Sequence, residues 1–423
     1  MTSDPASTAR RALHRGDPAA LGLFDKAIES DPGNAQLWLG KARALELNGD
    51  TRGARIVARQ LAEQAPGFLE AQAFLAELRL AAGEADFASH YSLAAEKHPQ
   101  DPNIPAAQIE TLAGLDYPAQ AAEIAAVARS RFPQEPHFAL LEAIYAGASG
   151  QWDRAEAIYA GLDNFPPQRA LHEARHRLRA RDWKAANALL GRALRDEPWD
   201  IAAWALQEIA WRLAGDARAD WLHQQSGLVQ LRPLQAREGL VQAAAEQLRV
   251  LHRSASMPLG QSLRGGTQTR GLLFDRPEPV LAELHRSIRA ALEQYRAELP
   301  ARDAAHPLLR HRDANWRISA SWSVRLSGGG DHHAAHIHPG GIVSSALYLA
   351  VPAQAKDARA RQGWLELGRP PRDLGLDLAP LVSIEPKEGH LALFPSTVFH
   401  GTTAFGEPGA GERLSVAFDV TTS

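Results

Sequence analysis

The chain has 423 residues, of which 45% are hydrophobic and 22% charged, and its formal net charge is -3. A chain of this size and composition is expected to fold into about two or three domains with sizeable apolar cores. No long run of one charge sign favours nucleic acid or an anionic membrane as a partner. The absence of cysteine excludes disulfides, thiolate zinc sites, iron–sulfur clusters and a cysteine nucleophile.

The N-terminal residues and the overall hydropathy predict a cytoplasmic protein. Residues 1–15 are polar and basic and lack the apolar segment of a secretory signal. No uninterrupted apolar run reaches the ~18 residues that suggest a membrane span. The lack of cysteine is also compatible with a reducing compartment.

The first half of the chain contains an internal repeat of about 34 residues. Prolines recur at intervals of 34, 33, 34, 34 and 31 residues, at Pro32, Pro66, Pro99, Pro133, Pro167 and Pro198. An alanine precedes most of them by roughly 12 residues, at Ala54, Ala88, Ala122, Ala155 and Ala186. Trp38 and Trp204 each follow a repeat proline by six positions. The prolines are expected to stop helices, and the alanines to let paired helices approach closely.

This layout resembles the tetratricopeptide repeat, in which two antiparallel helices form each unit. We count about seven units between Ala6 and Gln230 and assign residues 1–230 to an all-α tetratricopeptide-repeat solenoid. The resemblance implies a concave groove for a peptide or protein partner. An architectural spacer or a dimerisation surface is the alternative. We predict that Trp152, Trp183 and Trp211 belong to the core of the solenoid.

The pattern changes after residue 230, and residues 231–423 are predicted to form a separate domain. Residues 235–252 and 278–299 are expected to be helical, with a glycine-rich polar loop at 261–269 between them. Short apolar or alternating runs then predict strands, at 316–326, 342–351, 364–367, 381–385, 390–394 and 414–420. Six or more short strands with few helices favour a compact β-barrel or sandwich, and about 190 residues is a suitable size for a jelly-roll (double-stranded β-helix, cupin-like) barrel with flanking helices.

A histidine cluster in this second half predicts a metal site. If His336 and His338 lie on a strand, both face one side, because side chains two apart share a face. His400, which follows an apolar strand and a proline turn, is the expected third ligand. Three imidazoles suit iron(II) and leave coordination positions open. Arg413, 13 residues further on, is suited to pair with a carboxylate through its planar guanidinium.

The second half resembles the jelly-roll iron(II)- and 2-oxoglutarate-dependent oxygenases, especially bacterial ones that carry tetratricopeptide repeats before the barrel. Prolyl and aspartyl hydroxylases are more distant relatives. The resemblance rests on segments spread over residues 260–420, among them Gln261-Ser262, 265–269, 321–326, 336–339, 344–348, 363–368, 386–389, 394–396, 400–402 and 413–419. It implies iron(II), 2-oxoglutarate and dioxygen as cofactor and co-substrates, with hydroxylation of a peptide or protein side chain as the reaction.

The sequence departs from the family pattern at one ligand. The resembling enzymes usually carry an acidic residue where this chain has His338. Three arrangements follow: three histidines hold the iron, only one of His336 and His338 joins His400, or Asp331 completes the site. The shared face of His336 and His338 favours the first of these.

The resemblance extends to further residues around the metal. Tyr348 occupies a position where a phenol often touches the co-substrate carboxylate in such enzymes; a core aromatic is the alternative. Ser344, Trp322 and Arg325 are also predicted to contact the co-substrate or substrate. Two other functions stay open: a repeat scaffold with a degenerate barrel, and a three-histidine cupin dioxygenase that does not use 2-oxoglutarate. The sequence does not indicate the oligomeric state.

Overall fold

The structure is a computed structural model that describes residues 4–162, 168–253, 255, 257, 260–357, 359–404, 406 and 411–422. The repeat proline Pro167 lies outside the described residues. The chain divides into two compact units, residues 1–169 with 259–261 and residues 170–258 with 262–423. The domain limits at residues 230 and 231 follow the change of sequence pattern and stay a prediction, whereas the compact units divide at residue 170.

The chain up to residue 223 is a tetratricopeptide-like series of helices joined by short turns. The described helices of this part are α1 Pro5–His14, α2 Ala20–Ser30, α3 Ala35–Leu47, α4 Thr51–Gln64, α5 Leu69–Ala81, α6 His90–Lys97, α7 Asn103–Gly114, α8 Pro118–Arg131, α9 His137–Ala148, α10 Trp152–Gly161, α11 Arg169–Arg179, α12 Trp183–Asp196, α13 Ile201–Ala214 and α14 Arg218–His223.

Among the described residues, each repeat proline follows the end of a helix by two positions. α2 ends at Ser30, two residues before Pro32, and α12 ends at Asp196, two residues before Pro198. The residue between, Asp31 in the first case, has left the helical conformation, with φ -146° and ψ 72°. Proline disfavours a helical conformation in the residue before it. The spacing of the prolines in the sequence therefore sets the spacing of the helix ends.

The proline-to-tryptophan spacing has a direct structural cause. The indole Nε1–H of Trp38 donates to the carbonyl of Pro32 at 2.9 Å, and that of Trp204 donates to the carbonyl of Pro198 at 2.9 Å. Each bond ties the first turn of a new helix to the segment before it.

The small residues of the repeat are buried, as predicted, but one tryptophan is not. Ala54, Ala122 and Ala155 are fully inaccessible to solvent. Trp211 is buried in the second unit, whereas Trp152 is 57% exposed. The prediction that Trp152 is a core residue is therefore wrong. It opens helix α10, and a residue in the first turn is held less firmly against the neighbouring helix than one at the centre.

The second unit continues with two further helices and a set of strands. These are α15 Leu240–His252 and α16 Pro279–Glu298, and β1 Gln230–Pro233, β2 Leu263–Arg264, β3 Thr267–Gln268, β4 Trp316–Leu326, β5 His332–His333, β6 Val343–Ala350, β7 Leu365–Leu367, β8 Val382–Ile384, β9 His390–Pro395, β10 His400–Thr402 and β11 Arg413–Thr422.

The strands form an antiparallel, jelly-roll-like arrangement. One sheet has six strands in the order β1-β9-β6-β11-β4-β3, a second has the order β10-β7-β8, and β2 pairs with β5. On the inner face of the six-stranded sheet, Tyr348 and Phe394 pack in one cluster with Leu367 of β7. On its outer face, Leu347 and Val416 pack with the helices α15 and α16. The period-two alternation of the strands thus separates two apolar layers.

Two short strands and the segment of His336 and His338 differ from the sequence-based expectations. Residues 261–269, predicted as a loop, contain β2 and β3, and β3 extends the large sheet by pairing with β4. The expected strand at His336–His338 is an extended segment joined to the sheet by a single bridge between His336 and His400. Runs of two or three residues are too short to show a period, so these elements leave no pattern in the sequence.

Among the described residues, no helix combines the length and the apolar character that crossing a membrane requires.

Candidate metal centre

Two chain segments, 64 residues apart in the sequence, bring three histidines together. His336 and His400 form a reciprocal backbone pair, in which each amide N–H donates to the other residue's carbonyl at 2.9 Å. His338 lies two residues beyond His336, so its side chain returns to the same side. One nitrogen from each of the three imidazoles lies within 4.8 Å of the other two.

The Nδ1 atom of each histidine is held by a hydrogen-bond acceptor. The Nδ1–H of His336 donates to the carbonyl of Ala334 at 2.8 Å, and that of His400 donates to the carbonyl of Val398 at 3.0 Å. The Nδ1–H of His338 donates to a carboxylate oxygen of Asp419. An imidazole that is protonated at Nδ1 and neutral presents a free lone pair at Nε2, so all three rings are oriented as ligands.

The spacing of the nitrogens suits an ion with octahedral geometry. The Nε2 atoms of His336 and His338 lie 3.0 Å apart. Two nitrogens at right angles, each about 2.1 Å from one ion, would be separated by about 3.0 Å. The ring centres of His336 and His400 are 4.2 Å apart, and those of His338 and His400 are 4.9 Å apart. The donor set therefore fits a divalent transition metal.

Burial keeps the imidazoles of His336 and His400 neutral. It lowers the pKa of His336 to about 3, with the neighbouring His338 as a second cause. The pKa of His400 is also held well below its usual range, chiefly by burial and then by His336. A charged imidazolium would be costly to desolvate here, so the site favours the form that binds metals.

Arg413 and Tyr348 form a second polar group on the inner face of the large sheet. Arg413 is 3% exposed, and its guanidinium carbon lies 5.0 Å from the centre of the Tyr348 ring. Neither the Nε of Arg413 nor the hydroxyl of Tyr348 has a hydrogen-bond partner among the described residues. Buried polar groups are rarely left without partners, so these two atoms are available to a hydrogen-bonding ligand.

Ser344 and Trp322, also predicted as site residues, lie on the strands that frame the histidines. The hydroxyl of Ser344 is buried and shares a 2.9 Å hydrogen bond with the hydroxyl of Ser396. The ring of Trp322 lies 5.4 Å from the ring of His338, at 50° to it. The structure thus places Trp322 directly beside a candidate ligand, and Ser344 on β6, where it is hydrogen-bonded to Ser396 in the turn that leads to His400.

Arg325 and Asp331 are not brought to the histidines. Arg325 belongs to the outer face of β4, where its Nε donates to Glu412 at 2.6 Å, and Arg249 of α15 reaches the same carboxylate. Asp331 accepts the backbone N–H of Ser327 at 2.8 Å. The side chains of Arg325 and Asp331 are therefore both engaged in contacts away from the histidines.

Two residues near the metal centre were not singled out in the sequence. Asp419 supplies the carboxylate behind His338. Gly401 follows His400 at a close approach of two backbones, since a Cβ there would lie 2.8 Å from the carbonyl oxygen of His333. A spacing of 81 residues separates Asp419 from its histidine, and no local pattern reveals such a pair.

The chain was compared with known families and structures. Residues 320–419 match the family model described as "Putative 2OG-Fe(II) oxygenase", and residues 13–78 match the tetratricopeptide repeat model. No curated protein matches the sequence.

Similar solved structures include oxygenase-type proteins and a tetratricopeptide repeat protein. A prolyl-4-hydroxylase from Pseudomonas putida is 20% identical, with 50% of this chain and 98% of that chain covered and a TM-score of 0.32. HygX from Streptomyces hygroscopicus, solved with nickel and 2-oxoglutarate bound, is 12% identical, with 49% and 85% covered and a TM-score of 0.33. A tetratricopeptide repeat protein from Parabacteroides merdae is 14% identical, with 51% and 87% covered and a TM-score of 0.36.

Proposed function

We propose that the protein is an iron(II)- and 2-oxoglutarate-dependent dioxygenase, because residues 320–419 match the 2OG-Fe(II) oxygenase family model and residues 13–78 match the tetratricopeptide repeat model. The observation that carries the proposal is the joint presence of three converging imidazoles and a buried arginine without a partner for its Nε. The first fits the metal and the second fits the co-substrate.

In this proposal His336, His338 and His400 hold the iron. Bound iron(II), together with the 2-oxo acid and dioxygen, supplies the oxidising power for attack on a C–H bond. The chain's own part is to fix the three rings through Ala334, Val398 and Asp419, so that the ligands need no rearrangement when the ion binds. The buried position of His400 also keeps bulk water away from the reacting atoms.

Arg413 and Tyr348 bind the far carboxylate of 2-oxoglutarate in this proposal. A guanidinium and a phenol hydroxyl both donate to carboxylate oxygens, and the burial of the pair strengthens those bonds. Burial raises the pKa of Tyr348 although Arg413 opposes the change, so the phenol stays protonated and can donate. Trp322 and Ser344 shape the space around the metal and the co-substrate.

The substrate is proposed to be a side chain of a peptide or protein. Tetratricopeptide arrays commonly bind peptides along a concave surface, and the match over residues 13–78 supports the presence of such an array. The cytoplasmic location predicted from the composition stays a prediction.

The decisive experiment is succinate formation from 2-oxoglutarate by iron-loaded protein exposed to oxygen. Wild-type protein is expected to form succinate slowly even without a substrate. Loss of a charge-assisted hydrogen bond to the carboxylate costs about 1.5–3 kcal/mol, or about 10- to 100-fold in the affinity for 2-oxoglutarate. We expect that loss in Arg413→Ala and not in the matched control Arg369→Ala, whose side chain pairs with Glu366 at the surface.

The three-histidine donor set favours one alternative, a dioxygenase that does not use a 2-oxo acid. Iron binding without succinate formation would support that alternative and contradict our proposal. Absence of bound iron would favour a repeat scaffold with an inactive barrel.

A further inference from the structure

The residues that alternate with the candidate ligands contact helices of the repeat type. Ile337 stands between His336 and His338, and Phe399 precedes His400. Because neighbouring side chains in extended chain point to opposite sides, these two residues face away from the metal centre. Both pack into a cluster built mostly from α11, α12 and α13. We name residues 170–223, which carry these helices and α14, the helical wall.

The contact surface of the helical wall is apolar and closely packed. Its buried members are Ala174, Leu178, Ala186, Leu190, Ala203, Ala205, Leu206, Ile209 and Ala210, and the barrel adds Leu374 and Phe399. Phe399 is 5% exposed. A side chain enclosed in this way has little freedom to move without disturbing its neighbours. The packing of Phe399 therefore restrains the backbone of the adjacent His400.

Hydrogen bonds connect the helical wall to the same segment. Arg212 of α13 donates from Nη2 to the carbonyl of Gly368 at 2.6 Å, and the N–H of Gly368 donates to the carbonyl of Phe399 at 2.7 Å. His223, at the end of α14, shares a 2.9 Å hydrogen bond with the hydroxyl of Thr397. The chain is therefore tied to the helical wall at 397 and, through Gly368, at 399.

We propose that the helical wall is part of the metal centre, with Ile337 and Phe399 as positioning residues that set the distance between the ligand segments. The proposal rests on the proposed function only in taking His336, His338 and His400 as metal ligands. It assigns the last helices of repeat type a role in the barrel's chemistry. A shift of these helices would be transmitted to the ligands through two side chains.

The test compares Co(II) binding by the full-length variants Ile337→Ala and Ile318→Ala. Co(II) accepts imidazole ligands and reports ligand geometry through its visible absorption. Ile318 is the matched control, because it is a half-buried isoleucine on β4 that packs against the other cluster, beside α15 and α16. Both variants are expected to lower the melting temperature of the metal-free protein by similar amounts.

Only Ile337→Ala is expected to weaken Co(II) binding, by about 10-fold, as for other residues that orient ligands, and to change the absorption spectrum. Ile337→Val should restore most of the affinity. Phe399→Leu provides a second variant that keeps an apolar side chain and should give a smaller change in the same direction.

An equal effect on Co(II) binding in Ile337→Ala and Ile318→Ala, or none in either, would overturn the proposal while the metal centre stands. A wild-type protein that binds no Co(II) would overturn both.

Discussion

His338 stands where the resembling oxygenases usually carry an acidic ligand, and Asp419 places a carboxylate directly behind it. Substituting imidazole for carboxylate makes the set of ligands one charge more positive. A carboxylate that accepts the Nδ1–H of the imidazole places negative charge behind the ring. It also makes the Nε2 atom a stronger ligand for a metal ion. The charge missing from the ligands is thus present in the next layer of residues.

Asp419→Asn should weaken metal binding about 10-fold or more, since partners of this kind typically contribute 10- to 100-fold. The amide oxygen can still accept the hydrogen bond, so the ring keeps its orientation and only the charge is lost. Titration with Co(II) measures the effect, and Asp313→Asn serves as a control, because Asp313 lies at the exposed surface beside Arg312. Unchanged affinity in Asp419→Asn would mean that the carboxylate only orients the ring.

The sequence could predict which histidines converge but not all of their neighbours. The spacing of His336 and His338, together with the resemblance, was sufficient for that expectation. Asp419 contacts its histidine only through the tertiary fold. Trp322 and Arg325 were both predicted to contact the site, yet they are three positions apart on one strand, and side chains an odd number apart face opposite sides.

At the scale of elements, a short segment of the barrel is held by charged residues of α11. Asp373 accepts hydrogen bonds from Arg175 at 2.7 and 3.0 Å and from Arg179 at 2.6 Å. Burial alone would raise the pKa of Asp373, but the two arginines hold it down at about 2. The nearby Leu374 packs against the same helices.

This ion-pair cluster predicts a pH dependence of stability. Because the pKa of Asp373 is lower in the folded state than its usual 3.8, its contribution is present above about pH 4 and is lost as the pH falls towards 2. Asp373→Asn should therefore lower the free energy of unfolding at pH 6 and flatten its decline between pH 4 and 2. Urea unfolding across that range measures both, with Asp377→Asn as a nearby acidic control. Parallel curves for wild type and Asp373→Asn would contradict the assignment.

The longer elements could be predicted because they are long enough to show a period. The six strands predicted from alternating or apolar runs all occur, as do α15 and α16. β2, β3 and β5 have two residues each, and their pairing depends on distant partners. β1 was missed because its four residues are too few to show an alternating pattern.

At the scale of the whole chain, repetition in the sequence and compactness of the fold give different divisions. The helical pattern continues to residue 223, but from residue 170 onward its helices belong to the compact unit that contains the barrel. A repeat pattern in the sequence predicts how each helix pair is built. It does not predict in which hydrophobic core that pair is buried.

A comparison of two fragments tests this division. Residues 168–423 should fold and remain monodisperse, because they keep the helices that cover Leu374 and Phe399. Residues 231–423 lack those helices and should aggregate through the newly exposed apolar surface. Size-exclusion chromatography and thermal unfolding followed by circular dichroism distinguish the two. A soluble 231–423 fragment with a cooperative transition would show that the barrel is independent.

The alternation of ligands with wall-facing residues limits how these segments can vary. At positions 336 to 338 and 399 to 400, each side chain either points to the candidate metal centre or packs against helices. Neither group offers a free surface on which substitutions accumulate harmlessly. Few residue types should therefore be tolerated on either face, with histidine required on one and large apolar residues on the other. New specificity would have to arise elsewhere, in the other loops of the second unit or in the repeats.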